Sequence, residues 1–203
     1  MREPDNIRQI AEAGTDWAGF IFYEQSPRYI GSNTEALCSP VIVNGRKIKK
    51  VGVFVDATPQ EMMAAVDEFH LDYLQLHGNE TPEVCYALQK RGLAVIKAFP
   101  IATPDDLNAV IAYQGYVNYF LFDTKCKGYG GSGKQFDWQI LHAYEGETPF
   151  LLSGGLTPDS LVAVKAFNHP CLAGVDLNSG FETAPGMKDA CLVAEFIKKL
   201  KSQ

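Results

Sequence analysis

Seven apolar runs of strand length punctuate the chain, at residues 17–23, 50–55, 71–76, 94–99, 117–122, 149–153 and 172–177. Each is continuous rather than alternating, the pattern of parallel strands covered on both faces. Helical stretches lie between them, and four open the same way. Thr58-Pro-Gln-Glu61, Thr81-Pro-Glu83, Thr103-Pro-Asp-Asp106 and Thr157-Pro-Asp159 each offer Thr as N-cap, Pro at the first helical position and acid in the first turn. Gly14 and Gly92 stand where helix C-caps belong. The last helix, residues 188–201, carries Leu192, Val193, Phe196, Ile197 and Leu200 on one face. Its Lys198, Lys199 and Lys201 suit the negative end of the helix dipole. Residues 32–49 form the weakest unit: 33–40 allow a short helix, and Asn44-Gly45 is a turn.

This rhythm gives seven strands and eight helices, the first helix being residues 4–13. An open doubly wound sheet accepts seven strands, but a strand–helix repeat that never changes pattern favours a (βα)8 barrel, which seven strands leave one short. The chain opens on a helix where the repeat calls for a strand, so the missing strand is expected just before Met1. No linker or low-complexity segment divides residues 1–203, which are read as one domain.

Composition narrows the partners. A net charge of −6 argues against nucleic acid or an anionic membrane as a generic partner, but not against an anionic small molecule held by glycine amides. No run approaches the roughly 18 to 20 apolar residues that span a bilayer, and Met-Arg-Glu-Pro-Asp is not a signal peptide. The cytoplasm is the expected location. Cys38, Cys85, Cys126, Cys171 and Cys191 show no metal-ligand spacing, so no metal site is expected; they are expected to be reduced thiols, mostly small core residues.

The candidate chemistry clusters at strand ends. Asp123 closes the run 117–122, and four glycines within residues 128–133 follow it before Phe136-Asp137-Trp138 opens a helix. Such an acid is either a loop cap or a general acid, since partial shielding from water raises a carboxyl pKa. Arg28, in Ser26-Pro-Arg-Tyr, is either a surface ion-pair member or a two-donor clamp for a ligand carboxylate. His77, in Leu76-His-Gly, is more often structural than catalytic. Ser153-Gly154-Gly155 and Asp176-Leu-Asn178-Ser179-Gly180 end the last two strands, where barrels bind phosphate. Residues 128–135 nearly spell a nucleotide P-loop, but Gln135 stands where a Ser or Thr would meet Mg²⁺, and that reading is rejected.

Taken together, Ser26-Pro-Arg-Tyr, Leu74-Gln-Leu-His-Gly, Leu121-Phe-Asp-Thr with Gly130-Gly-Ser-Gly and Phe136-Asp-Trp, Leu152-Ser-Gly-Gly-Leu, and Gly174-Val-Asp-Leu-Asn-Ser-Gly with Pro185-Gly-Met-Lys-Asp resemble phosphoribosylanthranilate isomerase of tryptophan biosynthesis. The resemblance runs along essentially the whole chain. It implies a cofactor-free (βα)8 TIM barrel. It also implies an Amadori rearrangement of N-(5′-phosphoribosyl)anthranilate to 1-(2-carboxyphenylamino)-1-deoxyribulose 5-phosphate. Asp123 would be the general acid that protonates the furanose ring oxygen, and Arg28 would hold the anthranilate carboxylate. Gly154, Gly155, Asn178, Ser179 and Gly180 would line the phosphate site, with His77 and Asp176 in the substrate-binding set. Asn178 stands where the family usually has Ser. The family's general base is a Cys before Gly at the end of a short first strand. None of the five cysteines matches it, so it is expected upstream of Met1, and the chain as it stands is expected to be inactive or nearly so. A homodimer is compatible with the resemblance. The alternatives are a catalytically dead sugar-phosphate or anthranilate-binding protein, and a barrel enzyme acting on another phosphorylated sugar.

Overall fold

The computed structural model describes residues 1–31, 37, 39–124 and 136–202. Helix α1 (Pro4–Glu12) leads into strand β1 (Trp17–Ile21). A small hairpin, β2 (Ile42–Val43) with β3 (Arg46–Lys47), turns at Asn44-Gly45 as expected. The other strands are β4 (Lys49–Phe54), β5 (Tyr73–Leu76), β6 (Ala94–Ile101), β7 (Tyr119–Thr124), β8 (Phe150–Leu152) and β9 (Leu172–Val175). With β1 they form one parallel sheet in the order β1-β4-β5-β6-β7-β8-β9, so each of the seven apolar runs overlaps one of its strands.

The sheet curls. Trp17 on β1 stacks on Tyr73 of β5 with ring centroids 4.4 Å apart and meets Tyr119 of β7 edge-on at 5.2 Å. Strands β1 and β7 are separated by three others in the sheet, so their side chains can touch only across the inside of a barrel. Val51, Ile96, Ala98 and Leu121 form the buried layer inside that curve. The outward faces supply the larger core, with Phe20, Phe120, Phe122 and Phe150 fully buried against the helical layer. Among the described residues this is a barrel wall of seven parallel strands, the architecture of a (βα)8 barrel. At the seam between β1 and β9 the amino nitrogen of Met1 donates to the Gly19 carbonyl at 2.8 Å.

The helical layer contains α2 (Pro59–Phe69), α3 (Pro82–Lys90), α4 (Leu161–Ala166) and α5 (Ala190–Lys201). Thr58, the expected N-cap of α2, forms a capping box with Glu61. Two expected helices are instead 3₁₀ segments, Pro104–Tyr113 and Trp138–Ala143, and a three-residue 3₁₀ turn, Pro158–Ser160, precedes α4. In the first two, the buried residues are Leu107 with Val110 and Trp138 with Leu141, each pair three apart. A face that repeats every third residue suits three residues per turn rather than 3.6. The helix expected within 33–40 and the glycine loop 128–133 lie outside the described residues. Among the described cysteines, Cys85 is a core thiol, Cys171 is half-buried and Cys191 is exposed. Burial pushes the Cys85 thiol up to about 11. Among the described residues no helix is long and apolar enough to cross a membrane.

Two lysines on outward strand faces are buried, and both are spent on carbonyls. Lys50 donates to Leu37 O and Phe69 O, each at 2.6 Å, so its ammonium sits at the negative C-terminal end of α2. Lys97 on β6 reaches Leu76 O, Gly78 O and the Glu80 carboxylate at 3.1, 2.7 and 3.1 Å. Glu80 in turn accepts from the Asp56 and Gly78 amides. The loop that carries His77 is therefore fixed by a buried ion pair. Urea unfolding should show Lys97→Met destabilised by about 3–5 kcal/mol, because Glu80 is left buried without a counter-charge. The double variant Lys97→Met/Glu80→Gln should recover much of that loss. A single-variant loss below ~1 kcal/mol would equate this pair with an exposed one.

Candidate active site

Strand period places the site. On β7, Phe120 and Phe122 face the helices, so Tyr119, Leu121 and Asp123 face the barrel interior. By the same alternation, Tyr73, Gln75 and His77 of β5 and its following residue face inward. A cavity of about 500 Å³ runs along the seam between β1, β9 and the last helix and reaches this end of the strands. Asp123, His77, Arg28, Gly154, Gly155, Asp176, Asn178 and Ser179 all line it, and so do Ser153, Glu182 and Lys188.

The Asp123 carboxylate accepts from the Thr124 amide at 2.7 Å, and its other oxygen lies 3.5 Å from His77 Nε2. The Gln75 amide nitrogen faces His77 Nδ1 at 3.2 Å. With that amide donating, the ring proton sits on Nε2 and points at Asp123. Gly154 presses on the same carboxylate. A Cβ there would meet Asp123 Oδ1 at 2.8 Å and overlap the Thr124 hydroxyl, and its φ of +89° is itself a glycine conformation. Gly180 is equally confined, because a Cβ would strike the Leu156 carbonyl and touch Thr157 Cγ2 at 3.0 Å. The loop that follows β8 is thus brought against Gly180. The Asn178 side chain, however, is turned to Lys188, whose Nζ donates to it at 2.8 Å.

Arg28 is not a surface ion-pair member. It follows β1 in a turn in which the Arg28 amide donates to Ser26 Oγ. Its side chain is 16% exposed and pairs with Glu182, whose side chain is 5% exposed, at 2.8 Å. Glu182 and Lys188 belong to a hairpin, β10 (Glu182–Ala184) with β11 (Met187–Lys188), that sequence reasoning missed. Burial would raise the Glu182 carboxyl, but the Arg28 hydrogen bonds and the Lys188 charge outweigh it and hold the group below the usual range. Burial pushes the Lys188 ammonium down, only partly offset by Glu182 and Asp176. Asp176 accepts from Ser153 Oγ at 3.0 Å. It lines the cavity and is half-buried. Burial there pushes its carboxyl up, against the Lys188 charge and the Ser153 hydrogen bond. None of the described cysteines lines the cavity.

A family model described as N-(5'phosphoribosyl)anthranilate (PRA) isomerase matches residues 1–199. The chain belongs to that family. It is an isomerase of tryptophan biosynthesis by descent. Its relatives include the N-(5'-phosphoribosyl)anthranilate isomerase of Parabacteroides distasonis, 54% identical over 208 residues that cover 98% of this chain and 90% of the relative. The solved phosphoribosyl anthranilate isomerase of Thermotoga maritima superposes with a TM-score of 0.83 at 32% identity, covering 99% of this chain and 95% of that one. Another solved family member is in complex with reduced 1-(o-carboxyphenylamino)-1-deoxyribulose 5-phosphate. It gives a TM-score of 0.79 at 28% identity, with the same coverage.

Asp176 gives a test of the site's electrostatics. Its folded-state pKa is raised, so ionising it costs stability, and that cost appears as pH rises through the ordinary carboxylate range. Asp176→Asn should raise the thermal midpoint above that of the parent protein at pH 7, and the gain should vanish below about pH 3.9. A lower midpoint at pH 7 would mean that Lys188 holds Asp176 charged.

Proposed function

We propose that this mouth carries out the family's Amadori rearrangement on N-(5′-phosphoribosyl)anthranilate, in the cytoplasm, as one domain. The observation that carries the reading is the setting of Asp123, which faces the cavity on the inner face of β7 beside the Nε2 of His77. The amides of Gly154, Gly155, Ser179 and Gly180 bind the phosphate, and Arg28 takes the anthranilate carboxylate through its planar fork.

Asp123 then delivers its proton to the furanose ring oxygen while the anthranilate nitrogen pushes its lone pair toward C1′. The C1′–O bond breaks and a protonated Schiff base forms. The base that the resemblance assigns to a Cys ending the family's first strand takes the C2′ proton, giving the enolamine, which tautomerises to the ketone. No described cysteine reaches the cavity, so that proton is not assigned to one of them. His77 orients the Asp123 carboxyl between transfers, a role that its 3.5 Å approach supports.

Turnover, followed by loss of the substrate's fluorescence, separates this reading from a ligand-binding protein without catalysis, since both bind the reduced product analogue. Asp123→Asn should abolish turnover while analogue affinity stays within about tenfold, the mark of an interaction needed only in the transition state. An equal loss of binding would make Asp123 structural. Arg28→Lys should weaken the analogue because an ammonium lacks the two-donor fork. Unchanged affinity would remove Arg28 from the carboxylate site.

A further inference from the structure

The β10–β11 hairpin brings to the cavity wall a charged cluster that the reaction above leaves without a role. Glu182 grips one edge of the Arg28 guanidinium: Nε lies 3.1 and 2.9 Å from its two oxygens, and Nη2 lies 2.8 Å from Oε2. Glu182 is itself held. Its Oε1 accepts from Lys188 Nζ at 3.1 Å and from the Gly186 amide at 3.2 Å. Lys188 is anchored twice more, through Nζ to Asn178 Oδ1 and through its backbone to Asn6. The Asn6 side chain donates to Lys188 O at 2.8 Å and accepts from Lys188 N at 2.9 Å. A line of fixed groups thus runs from α1 through β11 to Arg28.

A guanidinium is planar and offers two edges to carboxylates, Nε with one Nη, or both Nη groups. Once Glu182 fixes the first edge, the plane and the direction of the second are fixed as well. The side chains of Arg28, Glu182 and Lys188 are 16%, 5% and 9% exposed, so this orientation is set before a ligand arrives.

We propose that Glu182 is a positioning residue for substrate recognition: it aims the free edge of Arg28 at the carboxylate of the aromatic end of the substrate, and Lys188 locks Glu182 in turn. This rests on the reading of Arg28 as the carboxylate-binding group.

The test uses the full chain as Glu182→Gln, Arg28→Gln and the double variant. The probes are the reduced carboxyphenylamino-deoxyribulose phosphate and ribose 5-phosphate, which lacks the carboxylate. Glu182→Gln should weaken the carboxylated analogue, and raise KM where turnover is measurable, by about tenfold, with kcat within about threefold. Its affinity for ribose 5-phosphate should stay unchanged. In the Arg28→Gln background the same substitution should cost nothing further, because the two act as one unit. If Arg28→Gln leaves the analogue's affinity intact, the carboxylate reading of Arg28 fails and this proposal fails with it. If Arg28→Gln weakens the analogue and Glu182→Gln does not, Arg28 keeps its role and the positioning role of Glu182 is wrong. Equal weakening of both ligands by Glu182→Gln, with a lowered thermal midpoint, would make Glu182 a structural strut. Should Glu182→Gln not fold, Glu182→Asp, which draws the carboxylate back by one methylene, is read against the same outcomes.

Discussion

The register in which β7 pairs with β6 and β8 is the constraint on which this site depends. Leu121 is aligned with Ala98 on one side and Leu151 on the other. Side chains alternate along a strand, so a slip of one residue would send Phe120 and Phe122 into the narrow barrel and Asp123 into the apolar layer beneath the helices. Both errors are costly, one sterically and one by burying an unpaired carboxylate. The packing of two phenylalanines thereby decides where the acid goes. The same logic brings His77 to Asp123, since β5 alternates in phase with its neighbours.

Above the strands, geometry is held by buried charge rather than by apolar contact. Lys97 and Glu80 fix the loop bearing His77, and Lys50 ties β4 to the end of α2. The Glu182–Lys188 hairpin fixes Arg28. Loops at the mouth of a barrel have little hydrocarbon to pack, and a charged group with several donors or acceptors can satisfy several backbone groups at once. Such networks tolerate few half-measures, because each partner removed strands another in a poorly solvated place.

The framework was legible because the signal for a parallel strand is local and strong: seven continuous apolar runs each overlap one strand of the sheet. Helix type was less legible. The Thr-Pro-acid start at Thr103 opens a 3₁₀ segment as readily as an α-helix, since it satisfies only the first turn, and the difference lay in the spacing of Leu107 and Val110. At the site, Asp123, His77, Arg28 and Gly154 were visible as polar or glycine residues at strand ends, and the structure gathers them around one cavity. Glu182 was not visible. Its hairpin has strands of three and two residues around Pro185-Gly186, too short for a period, and its meaning lies in a partner 154 residues away.

That separation has a consequence for how the molecule is made. Parallel strands that follow one another in sequence can pair as they leave the ribosome, so most of the sheet can build progressively from β1. Arg28 cannot settle in that order, because its counter-ion is made 154 residues later. At roughly 5–20 residues per second, that is a wait on the order of ten to thirty seconds. The last hairpin also joins residue 6 to residue 188, so the mouth is closed by contacts that span most of the chain. The recognition end of the pocket is thus completed only after the whole parallel sheet has been made, and a ribosome that stalls before Glu182 releases a barrel that has its sheet but no seat for its ligand.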